Sequence, residues 1–452
     1  MMKRDSIDFG KMNIPVLFRK MFVPTLLGML LASTICIADG VFVGRGVGSD
    51  ALAAVNIVAP FFLISTGVGL MFGSGVSIVA SMHLSQGRRK AADINVTQAF
   101  TVSFFIMAAI AVFVITFPEF SARIMGSSDR LLPHVKVYMS WVIPSLPFGM
   151  LMSVGLFVVR LDGSPVYAML CNALPAVVNV GLDYVFVFPM NMGLEGVSLA
   201  TGIAQVASGL LIGLYFLSFN NNIHLYKPKF TVKSVRLTLR NIGYQIKLGA
   251  PSMIGELAIA CMMFTGNFVF IHYLGEDGVA AFSVACYCFP LVFMIGNSIA
   301  QSAQPIISYN KGAGLQHRVV QTFRLSVAIA FVCGLLAMLG GMMKSSLVVS
   351  LFLPDTAPAC SIAKAGFPYF SIAFLFFALN LVYIGYFQSI GRFKAAFWFM
   401  LLRGLLFVVP SFVLLPLVIG KVGLWLSVPV SELLTLIVIC CYAKRTEGRL
   451  SL

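Results

Sequence analysis

Two acidic side chains stand out because they lie deep inside apolar segments of the chain. Asp39 and Asp183 each lie six residues before the end of such a segment, and Thr201 lies about seven residues after the start of another. At 1.5 Å of helix rise per residue, all three fall roughly 9–11 Å inside the same boundary of the apolar region. Asn179 precedes Asp183 by four residues, so both project from one helix face. Two carboxylates, an amide carbonyl and a hydroxyl at one depth suit a hard cation such as sodium, or a shared proton.

A structural interpretation of these residues is also open. Asp39 and Asp183 could snorkel to the water interface, and Asn179 could serve helix packing. However, an isolated aspartate within a membrane costs roughly 2.5–3.5 kcal/mol on insertion scales, so two of them without a function are unfavourable. The pattern therefore favours a cation-coupling site, with the choice between sodium and protons left open.

The elements that must position these side chains are membrane-spanning helices. Hydrophobic residues make up 59% of the chain and charged residues 10%, and the mean hydropathy is +0.95. This is too apolar for a soluble domain. Apolar runs long enough to cross a bilayer recur along the chain. They predict an all-α polytopic membrane protein with twelve spans, at 22–44, 52–80, 93–117, 134–159, 165–188, 195–219, 246–273, 279–306, 318–343, 361–389, 395–418 and 421–443.

The net charge of +15 follows the loops between these spans. In a soluble protein such an excess would indicate nucleic-acid binding, but most of the 31 Lys and Arg residues fall on one side of the predicted membrane. Because short basic loops stay on the cytoplasmic side, the pattern predicts a multi-pass plasma (inner) membrane protein with both termini in the cytoplasm. Anionic membrane lipid is the expected partner of the basic side, and no nucleic acid is expected.

The two halves of the chain resemble each other. A polar, basic linker, 220–245, separates an N-terminal six-span lobe, 1–219, from a C-terminal six-span lobe with a short cytoplasmic tail, 246–452. A constant shift of 227 positions pairs Pro24 with Pro251, Gly28 with Gly255, Gly48 with Gly275, Gly69 with Gly296 and Gly87 with Gly314. Since six is an even number, both lobes enter the membrane from the same side, and the repeat is parallel. Carriers built this way usually bind substrate between their halves and alternate access.

Motifs along nearly the whole chain resemble those of multidrug and toxic compound extrusion (MATE) transporters. They are Ile37-Ala38-Asp39-Gly40-Val41-Phe42-Val43-Gly44-Arg45, Arg160-Leu161-Asp162-Gly163-Ser164-Pro165, and Ala303-Gln304-Pro305-Ile306-Ile307-Ser308-Tyr309-Asn310-Lys311-Gly312-Ala313. The resemblance implies two six-helix lobes around a central cleft. It also implies export of amphipathic, often cationic, small molecules in exchange for sodium ions or protons. The family's first-lobe cation site, which holds the coupling ion, corresponds to Asp39, Asn179, Asp183 and Thr201. We expect a monomer without a cofactor.

A second group of charged residues falls in the C-terminal lobe. Glu256, Arg403 and Glu432 lie at inner to middle depth, and a lone arginine there is expected to pair with a carboxylate. Such a pair could simply fix helix packing, or it could leave the other acid free to titrate. One branch of the family carries an acidic pair in this lobe, whereas here Asn380 stands about where the second acid would be. Glu256 and Asn380 are the candidate substrate-cleft residues, and Arg403 and Glu432 form the candidate charge network.

Pro24 is the candidate hinge of the first helix. It lies fifteen residues before Asp39, and a proline inside a helix removes a hydrogen bond and favours a bend. Prolines are common in membrane helices, so a packing role is equally open.

Other classes of function are disfavoured. The chain has no Walker A loop, no Ser-His-Asp arrangement and no loop long enough to house a soluble catalytic domain, so an enzyme is not expected. Its nine cysteines form no CxxC pair, which disfavours a disulfide framework or zinc site. A channel would need a continuous polar pore. The main alternative is a lipid-linked precursor flippase of related architecture, which would be expected to line its cavity with several Arg and Lys for phosphate.

Overall fold

The computed structural model describes residues 7–42, 47, 49–220, 222–227, 231–353 and 355–447, and these contain helices and no strand. The chain forms two compact units. The first comprises Met1–Met12 and Val23–Met253, and the second comprises Asn13–Phe22 and Ile254–Leu452.

The helices of the first part of the chain are α1 (Ile14–Phe42), α2 (Ser49–Ser85), α3 (Arg89–Thr116), α4 (Pro118–Ile124), α5 (Leu132–Leu161), α6 (Pro165–Val187) and α7 (Gly193–Leu214), which ends in a π-helical turn, Tyr215–Phe219. They are followed by α8 (Val232–Gly312), α9 (Gln316–Met343), α10 (Ser345–Phe352), α11 (Pro358–Ser371), α12 (Ala373–Ser389), α13 (Phe393–Leu401), a π-helical turn Leu402–Leu406, α14 (Val408–Ile419) and α15 (Lys421–Glu447).

Eleven helical segments of the described chain are long and apolar enough to cross a membrane. The difference from the twelve predicted spans lies in α8, which is continuous except for non-helical backbone at Gly275 (φ 67°, ψ −159°). Glycine lacks a Cβ and adopts a positive φ at little cost, so this residue separates two spans without an intervening loop. The prediction of twelve spans in an all-α membrane protein is confirmed.

The predicted linker 220–245 is only partly irregular chain. Residues 222–227 are non-helical, but α8 begins at Val232, well before the predicted start of the seventh span at 246. Lys233, Arg236 and Arg240 made this segment resemble a loop. Their spacing of three and four residues instead places them together on one face of a helix.

In the first unit, α5 lies at the centre and packs against α2, α3, α6 and α7. Close approach of α2 to α5 requires glycine, because a Cβ added at Gly69 would lie 2.5 Å from the Cβ of Ser153. Small residues at such crossings allow helix backbones to pack closely in lipid. The arrangement gives α6 and α7, which carry the predicted cation ligands, a rigid support.

In the second unit, α12 lies at the centre and packs against α9 and α15. Aromatic rings interlock around it. Phe289 lies 4.4 Å from Phe377 and 6.1 Å from Phe370 by ring centroids, in edge-to-face geometry. This is the arrangement that the ring quadrupoles favour.

Residues 222–226, called the strap below, run across the ends of α3 and α5 and are held by buried side chains. Asp162 accepts hydrogen bonds from the backbone N–H of Asn222 (2.7 Å) and Ile223 (2.9 Å), and from the Tyr215 hydroxyl (2.7 Å). Asp93 accepts one from the N–H of His224 at 3.0 Å. These carboxylates supply partners that the irregular backbone of the strap would otherwise lack.

Replacing Asp162 by Ala is expected to destabilise the protein by about 3 kcal/mol, because two backbone N–H groups of the strap, of which that of Ile223 is buried, lose a charged acceptor. The measurement is the apparent melting temperature of the detergent-purified protein. Asp129→Ala is the matched control, since the Asp129 side chain is 87% exposed and pairs at the surface with Arg123. Equal losses in the two variants would contradict a specific role for the Asp162 hydrogen bonds.

Candidate functional site

Helix α6 carries two of the predicted cation ligands. Asn179 and Asp183 lie one turn apart on it, and Asp183 is fully buried (0% exposed). The helix packs against both α5 and α7. A carboxylate with no exposed surface inside a membrane-spanning helix is a functional candidate, because burying a charge there is unfavourable unless it is used or paired.

Helix α7 carries the third ligand, Thr201, in its third turn. The side-chain Oγ1 of Thr201 and the Nδ2 of Asn179 are both buried, and neither has a hydrogen-bond partner among the residues that the structure describes. Leaving a buried polar atom without a partner typically costs about 1–3 kcal/mol. Both helices therefore bury polar atoms at positions that the sequence predicts to bind the coupling ion.

The fourth ligand, Asp39, lies in the helical backbone of α1, but its side chain is outside the described residues. Its place in the cation site remains a prediction. Among the side chains that are described, no three His, Cys, Asp or Glu residues come together. The predicted ligands whose side chains are described offer one carboxylate, one amide and one hydroxyl oxygen. This set suits an alkali cation or a proton rather than a transition metal.

Pro24, the candidate hinge, lies inside α1. It lines a small cavity of the first unit together with Gly28, Arg160 and Asn172. Arg160 is 5% exposed, and its guanidinium lies 5.0 Å from the ring centroid of Phe157. The sequence did not predict that this arginine is buried. Its position inside the Arg160-to-Pro165 family motif was the only indication of a role.

The second unit contains a fully buried polar cluster. Arg403 Nε donates to Glu432 Oε1 at 2.9 Å and Oε2 at 3.1 Å, with side chains 3% and 4% exposed. Asn380 Nδ2 donates to Glu432 Oε2 at 2.7 Å and to the Glu432 backbone carbonyl at 2.8 Å. The guanidinium also lies 4.2 Å from the ring centroid of Phe377. Both charges are thus paired and hydrogen-bonded, as burial requires.

A π-helical turn presents Arg403 to this cluster. The turn Leu402–Leu406 contains Arg403, and α15 packs against it. Such turns shift the register of a helix and frequently occur at functional positions. The Ser431 hydroxyl donates to the carbonyl of Arg403 at 3.2 Å, which supplies a further contact from α15.

Glu256 and Asn380, the candidate substrate-cleft residues, have different surroundings. Asn380 is 0% exposed and serves the Glu432 cluster. Glu256 is half-buried on α8 and makes no hydrogen bond or ion pair with any described residue, so it is not a member of the Arg403 network. The amide of Asn380 can orient a carboxylate but cannot replace one, because it carries no charge.

Comparison with known proteins identifies the family. The MatE family model matches residues 24–185 and again 251–413. The two matches begin 227 positions apart, which is the register of the internal repeat. The chain belongs to the MatE family.

Relatives of this MatE protein include the multidrug export protein MepA of Staphylococcus aureus (strain N315). It is 24% identical over 425 residues, which cover 91% of this chain and 89% of MepA. The FAD transporter of Shewanella oneidensis MR-1 is 23% identical over 330 residues, covering 72% of this chain and 71% of that protein.

A solved outward-facing multidrug resistance MATE transporter of the MOP superfamily has the same fold. It superimposes with a TM-score of 0.90 at 20% identity, covering 100% of this chain and 99% of that chain. The protein is therefore a polytopic membrane transporter and not an enzyme.

Proposed function

We propose that this MatE protein is a secondary antiporter that exports amphipathic, often cationic, compounds in exchange for protons or sodium ions. The observation that supports the proposal is the burial of polar side chains on α6 and α7, two helices that pack against each other. Asp183 is fully buried there, and Asn179 Nδ2 and Thr201 Oγ1 have no described hydrogen-bond partner. A bound cation would be coordinated by the oxygens of these side chains, and a proton would neutralise the carboxylate.

In the proposed cycle, the cation site is ionised when substrate is captured and occupied when substrate is released. Entry of a proton or sodium ion changes the charge and hydrogen bonding of Asp183, and thereby the stability of one access state relative to the other. A membrane potential of 100 mV contributes about 2.3 kcal/mol per charge moved. That free energy supports roughly a 50-fold concentration gradient.

Glu256 is the proposed contact for the cationic group of the substrate. It is a half-buried carboxylate of α8 without a partner among the described residues. In the second unit Arg403 already neutralises Glu432, so we assign the coupling ion to the first lobe. We also propose that the protein is a monomer of the plasma membrane with both termini in the cytoplasm, as the basic loops favour.

Transport assays in proteoliposomes test the proposal. Purified protein is reconstituted, a fluorescent organic cation is loaded, and efflux is followed with a pH gradient, a sodium gradient or neither. Efflux that requires one of the gradients is expected. Ion conductance that does not depend on the pH or sodium gradient would indicate a channel. Transport of lipid-linked precursors without drug efflux would indicate a flippase. Flavin adenine dinucleotide (FAD) is included as a test substrate because one relative is named an FAD transporter.

Replacing Thr201 by Val is expected to distinguish the two coupling ions. The hydroxyl can complete a sodium shell, whereas it is less important to a proton held by carboxylates. If sodium drives transport, the sodium concentration that gives half-maximal efflux should rise about tenfold or more. A tenfold rise corresponds to a loss of about 1.4 kcal/mol of sodium-binding free energy, which is the size of one hydrogen bond. The response to a pH gradient should change little.

Thr101→Val is the matched control for this experiment. The Thr101 hydroxyl donates to the carbonyl of Thr97 within α3 at 2.8 Å, away from the predicted ligands. The Thr101→Val variant should leave the responses of efflux to the sodium gradient and to the pH gradient unchanged. An unchanged sodium response in Thr201→Val, with an intact pH response, would assign coupling to protons.

A further inference from the structure

The first four turns of α8, residues 232–247, carry a stripe of basic side chains. Lys233, Arg236, Arg240 and Lys247 are all exposed. At about 100° of rotation per residue, the four project within an arc of roughly 60°. A stripe this narrow concentrates positive charge along one line of the helix.

The opposite face of the same turns is anchored to α3. Gln98 donates to Thr238 Oγ1 at 2.9 Å, and Asn241 donates to Gln98 Oε1 at 2.9 Å. Gln245 donates to Asn95 Oδ1 at 3.0 Å. Because these bonds hold the polar face of the helix against α3, the rotation of the helix is set and the basic stripe is directed away from α3.

Exposed apolar side chains flank the stripe on both sides. Val232 (87% exposed) and Leu239 (69%) lie along one edge, and Leu237 (38%) and Tyr244 (45%) lie along the other. Apolar groups left in water beside basic groups are unfavourable for a purely aqueous surface. The same combination is typical of helices that lie at the boundary between lipid headgroups and acyl chains.

The length of the helix places these turns at that boundary. From Val232 to the break at Gly275 the helix is far longer than a bilayer requires, since a span of about 20 residues crosses a hydrocarbon core of roughly 30 Å. Its first turns therefore extend past the hydrocarbon core. Pro251 follows the stripe within α8, and a proline in a helix interior favours a bend that would let these turns follow the membrane surface.

We propose that residues 232–247 bind the headgroups of anionic phospholipids. The basic stripe pairs with headgroup phosphates, and Val232, Leu239 and Tyr244 insert at the level of the first acyl carbons. The charge of the stripe is complementary to an anionic leaflet, and the flanking apolar groups require acyl chains rather than a soluble phosphate. The inference depends only on the chain spanning a bilayer and is independent of the coupling ion.

Native mass spectrometry of the full-length, detergent-solubilised protein tests this proposal by titration with phosphatidylglycerol or phosphatidylcholine. The wild-type protein should prefer phosphatidylglycerol. The triple variant Lys233→Gln, Arg236→Gln, Arg240→Gln should bind it at least about tenfold more weakly, since each basic residue near an anionic surface contributes several-fold to affinity. Phosphatidylcholine binding should be unchanged.

The control is a triple variant that removes the same charge from exposed positions elsewhere, Lys311→Gln, Lys394→Gln and Lys421→Gln. It should stay within about twofold of wild type. Equal losses in both triple variants would overturn the proposal in favour of a general charge effect, and no loss in the stripe variant would overturn it outright.

A second variant separates lipid from free phosphate. Val232→Asn combined with Leu239→Asn keeps every basic residue but removes the apolar flank, and should also weaken phosphatidylglycerol binding. Soluble glycerol phosphate should not compete with the lipid. Competition by glycerol phosphate, with normal lipid binding in the double variant, would show a simple anion site and reject lipid recognition.

Discussion

Replacing Asp183 by Asn is expected to abolish gradient-driven efflux, a loss of at least about 100-fold in the coupled rate, while the protein remains folded. The carboxylate is fully buried on α6. Asparagine has nearly the same shape but can neither accept a proton at neutral pH nor neutralise a bound cation. Without a change in charge at this site, the ion has no differential affinity for the two access states and cannot shift their equilibrium.

The measurement is drug efflux from proteoliposomes under separate pH and sodium gradients, with the melting temperature as the test of folding. Asp39→Asn should have the same effect if Asp39 belongs to the site. Asp277→Asn is the matched control, since Asp277 is exposed next to the Gly275 break. Wild-type efflux by both Asp183→Asn and Asp39→Asn would eliminate the proposed coupling site.

Replacing Arg403 by Ala is expected to lower the free energy of unfolding by about 3–5 kcal/mol, because removing one partner leaves the other charge buried without compensation. Here the remaining partner is Glu432, whose side chain is 4% exposed and whose carboxylate would keep only its hydrogen bond from Asn380 Nδ2. The loss of the guanidinium also removes its contact with the Phe377 ring. We expect a large fall in folded yield and in melting temperature.

The double variant Arg403→Ala with Glu432→Gln should recover part of this loss, since no net charge then remains in the cluster. Arg123→Ala is the surface control. Arg123 contacts Glu119 at 3.0 Å, but the two side chains are 48% and 52% exposed, so its removal should cost less than about 1 kcal/mol. A double variant as unstable as the sum of its two single variants would show that the pair does not act as a unit.

Local sequence patterns predicted much of this fold. Apolar runs located the spans, including the boundary between the seventh, 246–273, and the eighth, 279–306. Membrane burial makes such prediction effective, because every spanning segment must satisfy its own backbone and face lipid with apolar side chains. The sequence did not predict the helical start of α8 at Val232, because a dense run of basic residues is typical of a loop even where its spacing is helical.

The sequence predicted the common face of Asn179 and Asp183 but left the partner of Arg403 open. Asn179 and Asp183 share one helix, so their common face follows from helix geometry alone. For Arg403, the sequence offered both Glu256 and Glu432 as partners at compatible depths. The structure pairs it with Glu432, because α15 packs against the π-helical turn that carries the arginine. Asn380 joins them from α12, a contact between residues 52 positions apart.

By itself, the sequence determined the membrane class, the number of spans, the parallel repeat and the family, because each of these is written in patterns of neighbouring residues or in a constant register between the halves. Tertiary structure alone decided the partner of Arg403, the burial of Asp162 and Arg160, and the direction of the basic stripe on α8. These features depend on how each helix is rotated about its axis and on which distant helix it meets. That rotation is set by packing and hydrogen bonds between residues far apart in the chain, which no local pattern encodes.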